Sequence, residues 1–131
     1  MATIPEEFMD IMNSKSLASL GTAMADGSPQ VSPVWFSHDG THIFVNSAEG
    51  RVKDRNIRRN RNVALAIVDL ENPYRHIAIR GEVVDITNDG ADDHIDALAK
   101  KYLDEDKYPF RQESEVRVIY KIRPARVATM G

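Results

Sequence analysis

The sequence predicts a mainly β (α+β) fold, a six- or seven-stranded antiparallel split β-barrel with short flanking helices. Two Asp-Gly pairs, at 26–27 and 39–40, separate runs of apolar and β-branched residues, which is typical of β-hairpins. Further strand-like runs follow at residues 62–70, 74–86 and 115–130. An open sheet of this size would leave exposed edges, so closure into a small or split barrel is favoured.

The first third of the chain is predicted to form one helix and a three-stranded meander. Thr3 and Glu6 have the spacing of a capping box, and apolar residues follow on one helical face, so a short amphipathic helix is expected over 4–14. The strands that the two Asp-Gly turns separate are expected at residues 17–24, 29–37 and 41–47. Consecutive strands joined by tight turns pair antiparallel, which predicts the meander.

The segment 50–61 carries the strongest local charge. From Arg51 to Arg61 there are six basic residues against one acid, Asp54, so the local charge is +5 in a chain whose net charge is −3. The segment has no β-branched cluster and is bounded by Gly50 and an Asn-Arg-Asn run. A helix of about two turns is therefore predicted.

The rest of the chain is predicted to hold two long strands, a helix and a last strand. The run 62–70 is almost wholly apolar, as in a strand buried on both faces, and 74–86 alternates with a bend at Gly81. The last strand is one that Pro124 divides. After Asn88 the apolar residues have helical spacing, at Ile95, Leu98, Ala99, Tyr102 and Leu103.

The length of 131 residues predicts a single domain over 1–131. With 42% hydrophobic and 28% charged residues, the composition is that of a soluble globular protein. No apolar run reaches the roughly 20 residues that span a bilayer, so no membrane partner is expected. The acidic N-terminal stretch lacks the features of a secretory signal, which predicts a cytoplasmic protein.

Catalytic and metal-binding motifs are absent from the sequence. There is no cysteine, and the four histidines are spread out without metal-ligand spacing, so no metal is predicted. Glycine-rich nucleotide loops and the nucleophile elbow are also missing. No catalytic residue is predicted; any chemistry is expected to come from a bound cofactor.

The basic segment favours an anion site. A helix N-terminus attracts phosphate, and Arg51 with Lys53 in the first turn would add a planar fork and a point charge. Two alternatives remain. The segment could be a solvated helix face, although cations in a first turn oppose the helix dipole. Nucleic-acid binding is disfavoured because aromatics are not interleaved with the charges and the pI is about 5.8.

Four segments in order carry a resemblance that covers nearly the whole chain: "SPQVSPVWF", "KDRNIRRN", "NPYRHIAIRG" and "VIYKIRPARV". In these the chain resembles the split-barrel superfamily of pyridoxamine-phosphate-oxidase-like proteins, specifically the small flavin/deazaflavin oxidoreductases. The compact length and the Lys-Asp-Arg-Asn sequence are similar to members that use the deazaflavin coenzyme F420. Close relatives hold FMN on nearly the same scaffold.

This resemblance implies a homodimer with cofactor sites at the subunit interface, each built from both subunits. The cofactor phosphate would then bind Arg51, Lys53 and Asn56, with Arg55 as a further candidate. The ring and ribityl chain would be bordered by Gln30, Ser32, Trp35, Asn46 and Ser47. The partner subunit would contribute its own copies of Tyr74 and Arg75.

Strand parity bears on this assignment. Gln30 and Ser32 face one side of their strand, whereas Trp35 faces the other unless Pro33 shifts the register. Trp35 could therefore be a core aromatic.

The function that the resemblance implies is hydride transfer from reduced F420 to an unsaturated organic small molecule, with the proton coming from solvent. An FMN-dependent oxidoreductase of the same fold is an alternative, and a non-catalytic carrier of F420 or FMN is another. Neither the fold nor the resemblance names the substrate.

Overall fold

The computed structural model describes residues 1–131. Seven antiparallel strands form one curled half-barrel sheet, accompanied by three short α-helices, so the fold is mainly β. The strands are β1 (Ala18–Ala23), β2 (Pro29–Val34), β3 (Phe36–His38), β4 (Ile43–Ala48), β5 (Asn62–Val68), β6 (His76–Thr87) and β7 (Arg117–Met130). The helices are α1 (Met9–Met12), preceded by a 3-10 turn over Glu6–Phe8, α2 (Val52–Arg59) and α3 (Ala91–Leu103).

The strand order, β2-β1-β5-β6-β7-β4-β3, shows that the predicted meander is wrong. Both Asp-Gly turns form as predicted, with Gly27 and Gly40 at φ values of +87° and +90° that favour glycine. However, the chain leaves the β1–β2 hairpin at Trp35, and the β3–β4 hairpin lies at the opposite end of the sheet. The edge strand β2 and the end of β4 that β3 does not pair, residues 46–48, therefore border an opening that we call the split.

Strands β6 and β7 bend together at Gly81. The register between them shifts between Arg80 and Gly81, which confirms the predicted bend. A Cβ atom on Gly81 would lie 2.9 Å from the carbonyl oxygen of Arg123, so only glycine allows this close approach. Pro124 lies opposite Gly81 but does not divide β7, which runs unbroken from Arg117 to Met130.

The hydrophobic core fills the inside of the curled sheet and includes Ile57 from α2. In β5 the burial alternates: Val63, Leu65 and Ile67 point inward, while the alanines and valine between them are exposed. The prediction that β5 is buried on both faces is therefore wrong for this chain alone. Its outer face is apolar and uncovered.

The N-terminal helix is shorter than the predicted 4–14. Pro5 precedes the 3-10 turn with no side-chain cap bond, so the expected capping box does not form. Phe8, Ile11 and Met12 nevertheless pack into the core from one face. Among the helices, none combines the length and the apolar character that crossing a bilayer requires.

Candidate functional site

A cleft at the split collects several of the predicted site residues. Trp35, Asn46, Arg51 and Lys53 line it together with Arg117, and its volume is about 200 Å³. The remaining walls are apolar or aromatic and come from Pro33, Val34, Ile95, Leu98, Tyr108 and Phe110. We call this space the cationic cleft. It brings together four of the eleven predicted residues.

Helix α2 is held against the cleft by Asp54. The Asp54 carboxylate accepts hydrogen bonds from the Gly50 backbone N–H (3.0 Å) and the Tyr120 hydroxyl (2.7 Å). Burial alone would raise the pKa of Asp54, but these two donors and Arg58 together lower it below the ordinary 3.8. A buried, ionised Asp54 thus anchors the turn from which Arg51 and Lys53 project.

Lys53 is half-buried in the cleft and has no hydrogen-bond or ion-pair partner. Burial, followed by repulsion from Arg51 and Arg117, lowers the pKa of its ammonium group. A half-buried cation next to two others is unfavourable without a counter-charge. The arrangement therefore supports the predicted anion site at the start of α2.

Arg117 was missed by the sequence reasoning. Its side chain is only 5% exposed, and its Nε donates a 2.9 Å hydrogen bond to Asn46 Oδ1. The guanidinium lies over the Tyr108 ring, 5.3 Å from the ring centre. The one signal in the sequence is an arginine at the start of the last strand, and β7 carries three more basic residues, so this arginine does not stand out.

Asn46 connects Arg117 to helix α3. Its amide nitrogen donates to the Ala91 carbonyl (2.8 Å) and lies 3.1 Å from His94 Nδ1. Since Nδ1 then accepts, His94 Nε2 carries the proton toward Ser37 Oγ, 2.9 Å away. Burial, with a smaller effect of Arg117, lowers the pKa of His94 to about 4, so this imidazole is neutral at neutral pH.

Trp35 and the polar residues of β2 lie on opposite faces, as the parity argument predicted. Trp35 stacks on Tyr102 with ring centres 5.3 Å apart and meets Tyr108 edge-on. Gln30, in contrast, accepts a hydrogen bond from Thr22. Ser32 on β2 and Ser47 on β4 do not line the cleft. Ser47 lies on the same face of β4 as the core residues Ile43 and Val45.

Seven predicted residues do not line the cleft: Gln30, Ser32 and Ser47, described above, and Arg55, Asn56, Tyr74 and Arg75. Asn56 is buried and donates to Thr22 Oγ1 (3.0 Å), so it ties α2 to β1. Arg55 bonds the Gly50 carbonyl from the exposed side of α2. Tyr74 and Arg75 lie in the loop between β5 and β6.

In that loop Tyr74 is 76% exposed, whereas Arg75 is engaged within its own chain. Arg75 bonds Asp10 and Asp69 and lies over the Phe8 ring, which fastens the N-terminal segment. The approach of Tyr74 and Arg75 to a partner's cofactor remains a prediction.

Two larger hollows, of about 830 and 630 Å³, lie on the outer face of β1, β5, β6 and β7. Their walls include small side chains and the backbone of Gly21, with Arg80 and Arg126 at the rim. Neither contains a predicted site residue. We place the candidate site in the smaller cationic cleft because only there do three cations, an aromatic cluster and the split coincide.

Comparison with known proteins bears on this geometry. Residues 4–131 match the family model described as pyridoxamine 5'-phosphate oxidase. A solved structure described as an F420 reductase is 32% identical, with a TM-score of 0.86, and the match covers 95% of this chain and 98% of that one.

Two further solved structures are similar at 20% identity, which shows the fold alone. A conserved hypothetical protein from Mycobacterium tuberculosis has a TM-score of 0.75, over 99% of this chain and 86% of that chain. The general stress protein 26 from Bacillus anthracis has a TM-score of 0.70, over 95% and 92%.

Proposed function

The chain belongs to the pyridoxamine 5'-phosphate oxidase family, and from this membership we propose that it is an oxidoreductase transferring a hydride from reduced coenzyme F420 to an unsaturated organic small molecule. The observation that carries the proposal is the unpaired, half-buried Lys53 between Arg51 and Arg117 at the split. The choice of F420 is supported by the similarity to the F420 reductase along nearly the full length of both chains.

The residues at the split fit a phosphate-bearing heterocycle. Arg51 and Lys53 supply charge for a phosphate, and an arginine fork with a lysine is a common pairing for that group. Trp35 adds a flat apolar surface beside the cations.

In this proposal the residues of the chain bind and orient. Reduced F420, when bound, supplies a hydride from its ring carbon. Lys53 and Arg51 would hold the phosphate, and Trp35, fixed by Tyr102, would limit the position of the ring. His94 is neutral near neutral pH and hydrogen-bonds to Asn46 and Ser37, so it has no acidic proton to donate to a substrate. This supports solvent as the source of the proton that accompanies the hydride.

We also propose that the working form is a homodimer joined through the outer sheet face. This face carries Ala64, Ala66 and Ala78 with the exposed Val31 and Val68, and it lacks a cover in the single chain. A contiguous exposed apolar face is the usual mark of an interface. In such a dimer the exposed Tyr74 of each chain would be free to approach the other chain's cleft.

An FMN-dependent oxidoreductase is the second candidate, since the family model is that of pyridoxamine 5'-phosphate oxidase and a cation cluster receives either phosphate. Side-by-side titration of the purified protein with F420 and with FMN separates the two. We expect tighter binding of F420. Lys53→Ala should lose about 1.5–3 kcal/mol of binding free energy, the range for a hydrogen bond to a charged group.

Lys15→Ala is the matched control, because Lys15 is exposed and lies outside the cleft. Equal losses in both variants would contradict the assignment of Lys53. Oxidation of reduced F420 by a panel of enones and quinones then tests turnover. Binding without turnover over a broad panel would favour a carrier, and preferential uptake of FMN would favour the second candidate.

A further inference from the structure

The Glu115 carboxylate forms ion pairs with two of the three cations of the cleft, Arg51 and Arg117. Its Oε2 atom lies 2.6 Å from Arg51 Nη2 and 3.4 Å from Arg117 Nη1, so one oxygen bridges two guanidinium groups. The Glu115 side chain is only 13% exposed. Its backbone N–H donates to the Gln112 carbonyl at 3.1 Å, which closes a turn immediately before β7. A carboxylate is thus held where a ligand anion would be expected.

Arg117 has hydrogen-bonding capacity left over at this point. Its Nε is bonded to Asn46 and its Nη1 faces Glu115, but its Nη2 has no hydrogen-bond partner. The side chain is more than nine-tenths buried, yet it lines both the cationic cleft and an adjoining polar hollow of about 250 Å³. The fully buried unpaired polar atoms of the chain do not include Nη2, so this donor is open to solvent. An anion that enters the hollow can therefore reach it.

We propose that Arg117 is the third cation of an anion subsite for a phosphate group, and that the Glu115 carboxylate competes with that phosphate for Arg51 and Arg117. The inference rests on the proposed function in that the phosphate is taken to be the cofactor's. The unliganded cleft then holds three cations against one carboxylate. A phosphate that enters would bring a counter-charge to Lys53 and would accept a hydrogen bond from the free Nη2 of Arg117.

The contacts argue against a purely structural role for the Glu115 bridge. Arg51 is about half exposed, so its ion pair with Glu115 contributes little to stability because solvent screens it. The contact between the buried Arg117 and Glu115 is the longer one, at 3.4 Å. A structural counter-ion would also be expected near Lys53, which instead stays unpaired. Since Asn46 and the Tyr108 ring fix Arg117 independently of Glu115, the guanidinium keeps its place when the carboxylate moves aside.

Variants of the full-length chain test this by calorimetric titration with F420, FMN, riboflavin and inorganic phosphate. Glu115→Gln should tighten binding of F420 and of inorganic phosphate about fivefold, because a competing charge is removed while the shape is kept. Arg117→Met should weaken both by about tenfold or more, and Arg117→Lys should fall between wild type and Arg117→Met because it keeps the charge without the planar fork. Any riboflavin binding should be unchanged, since riboflavin lacks the phosphate.

Glu105→Gln is the matched control: it makes the same change of charge in the same loop, but Glu105 is exposed, forms no ion pair and lies outside the polar hollow. An equal gain in Glu105→Gln and Glu115→Gln, or no gain in either, would overturn the proposed competition between Glu115 and phosphate. If Arg117→Met fails to fold in a thermal melt, the Glu115→Gln comparison decides alone.

The two proposals fail in different ways. If wild type binds neither F420 nor FMN, the proposed function fails, while the inorganic phosphate titrations still test the subsite. If F420 binds and both Glu115→Gln and Arg117→Met leave its affinity unchanged, only the subsite is overturned.

Discussion

The Tyr120 hydroxyl donates a 2.7 Å hydrogen bond to Asp54 Oδ1 inside the barrel, and both side chains are buried. This bond joins β7 to α2 across 66 positions of sequence. Asp54 also accepts from the Gly50 backbone N–H, so the last strand of the sheet fixes the turn that presents Arg51 and Lys53. The position of the cleft cations is therefore set from the core.

Removing this carboxylate should destabilise the protein. Asp54→Ala leaves the buried Tyr120 hydroxyl without an acceptor and removes the acceptor of the Gly50 N–H, and we expect a loss of about 3 kcal/mol in the free energy of unfolding. Tyr120→Phe removes one donor only and should cost about 1 kcal/mol. Urea unfolding measures both. Asp85→Ala, at an exposed carboxylate, is the control and should be nearly neutral.

The hydrogen bonds to ionised Asp54 should make the folded protein less stable at acidic pH. The pKa of Asp54 is lower in the folded protein than the ordinary 3.8, so its stabilising contribution is complete above about pH 4. It is lost as the pH falls through the folded value. Asp54→Asn should therefore reduce the acid sensitivity below pH 4, and an unchanged acid transition would contradict the lowered pKa.

Local features of the fold were predictable from the sequence, whereas the pairing of distant strands was not. The Asp26-Gly27 and Asp39-Gly40 turns need only a few adjacent residues and form as predicted. The separation of β2 from β3 at Trp35 depends on β7 pairing with β4, about 70 or more positions away in sequence. No pattern within 29–47 distinguishes a meander from two hairpins at opposite ends of a sheet.

The residues of the candidate site were likewise predictable where the signal is local in sequence and unpredictable where it depends on distant pairing. Arg51 and Lys53 stand out because they follow one another in a strongly basic segment. Glu115 and Arg117 lie more than 60 positions later, where a loop of mixed charge meets the first residue of β7, and this stretch resembles any solvated surface. Only the register of β7 against β4, which pairs Ala48 with Arg117, brings that arginine to the split.

His94 should make stability depend on pH in the mildly acidic range. Its folded pKa is about 4 against an ordinary 6.5, chiefly because of burial, so between these values the unfolded chain binds a proton that the folded chain does not. Stability therefore rises with pH from about 4 to 6.5, by about 2 kcal/mol for this group.

Urea unfolding at pH 5 and pH 8 measures this difference, and His94→Gln should reduce it. His38, whose pKa is also lowered by burial and then by Lys101, contributes in the same direction and remains in the variant. The quantity to compare is therefore the change in unfolding free energy between pH 5 and pH 8 in wild type and in His94→Gln. An identical change in the two proteins would show that His94 titrates normally.

The proposed dimer interface is tested by Ala66→Arg. Ala66 lies on the exposed, apolar face of β5, and a charged side chain there should prevent close packing of two sheets. Light scattering coupled to size exclusion should show a dimer for wild type and a monomer for the variant. Ala97→Arg, at an exposed position of α3, is the control and should stay dimeric. A monomeric wild type at micromolar concentration would contradict the interface.

Lys53→Ala should change folding stability and ligand binding in opposite directions. The ammonium group is half-buried beside Arg51 and Arg117, and burial and repulsion lower its pKa, so the unliganded protein is expected to gain stability when this charge is removed. After screening by solvent, the gain should be a few tenths of a kcal/mol in urea unfolding. The same variant should bind F420 more weakly, as titration would show. Residues kept for a ligand commonly reduce stability in this way. A variant that is less stable and binds equally well would show that Lys53 supports the fold and does not serve the anion site.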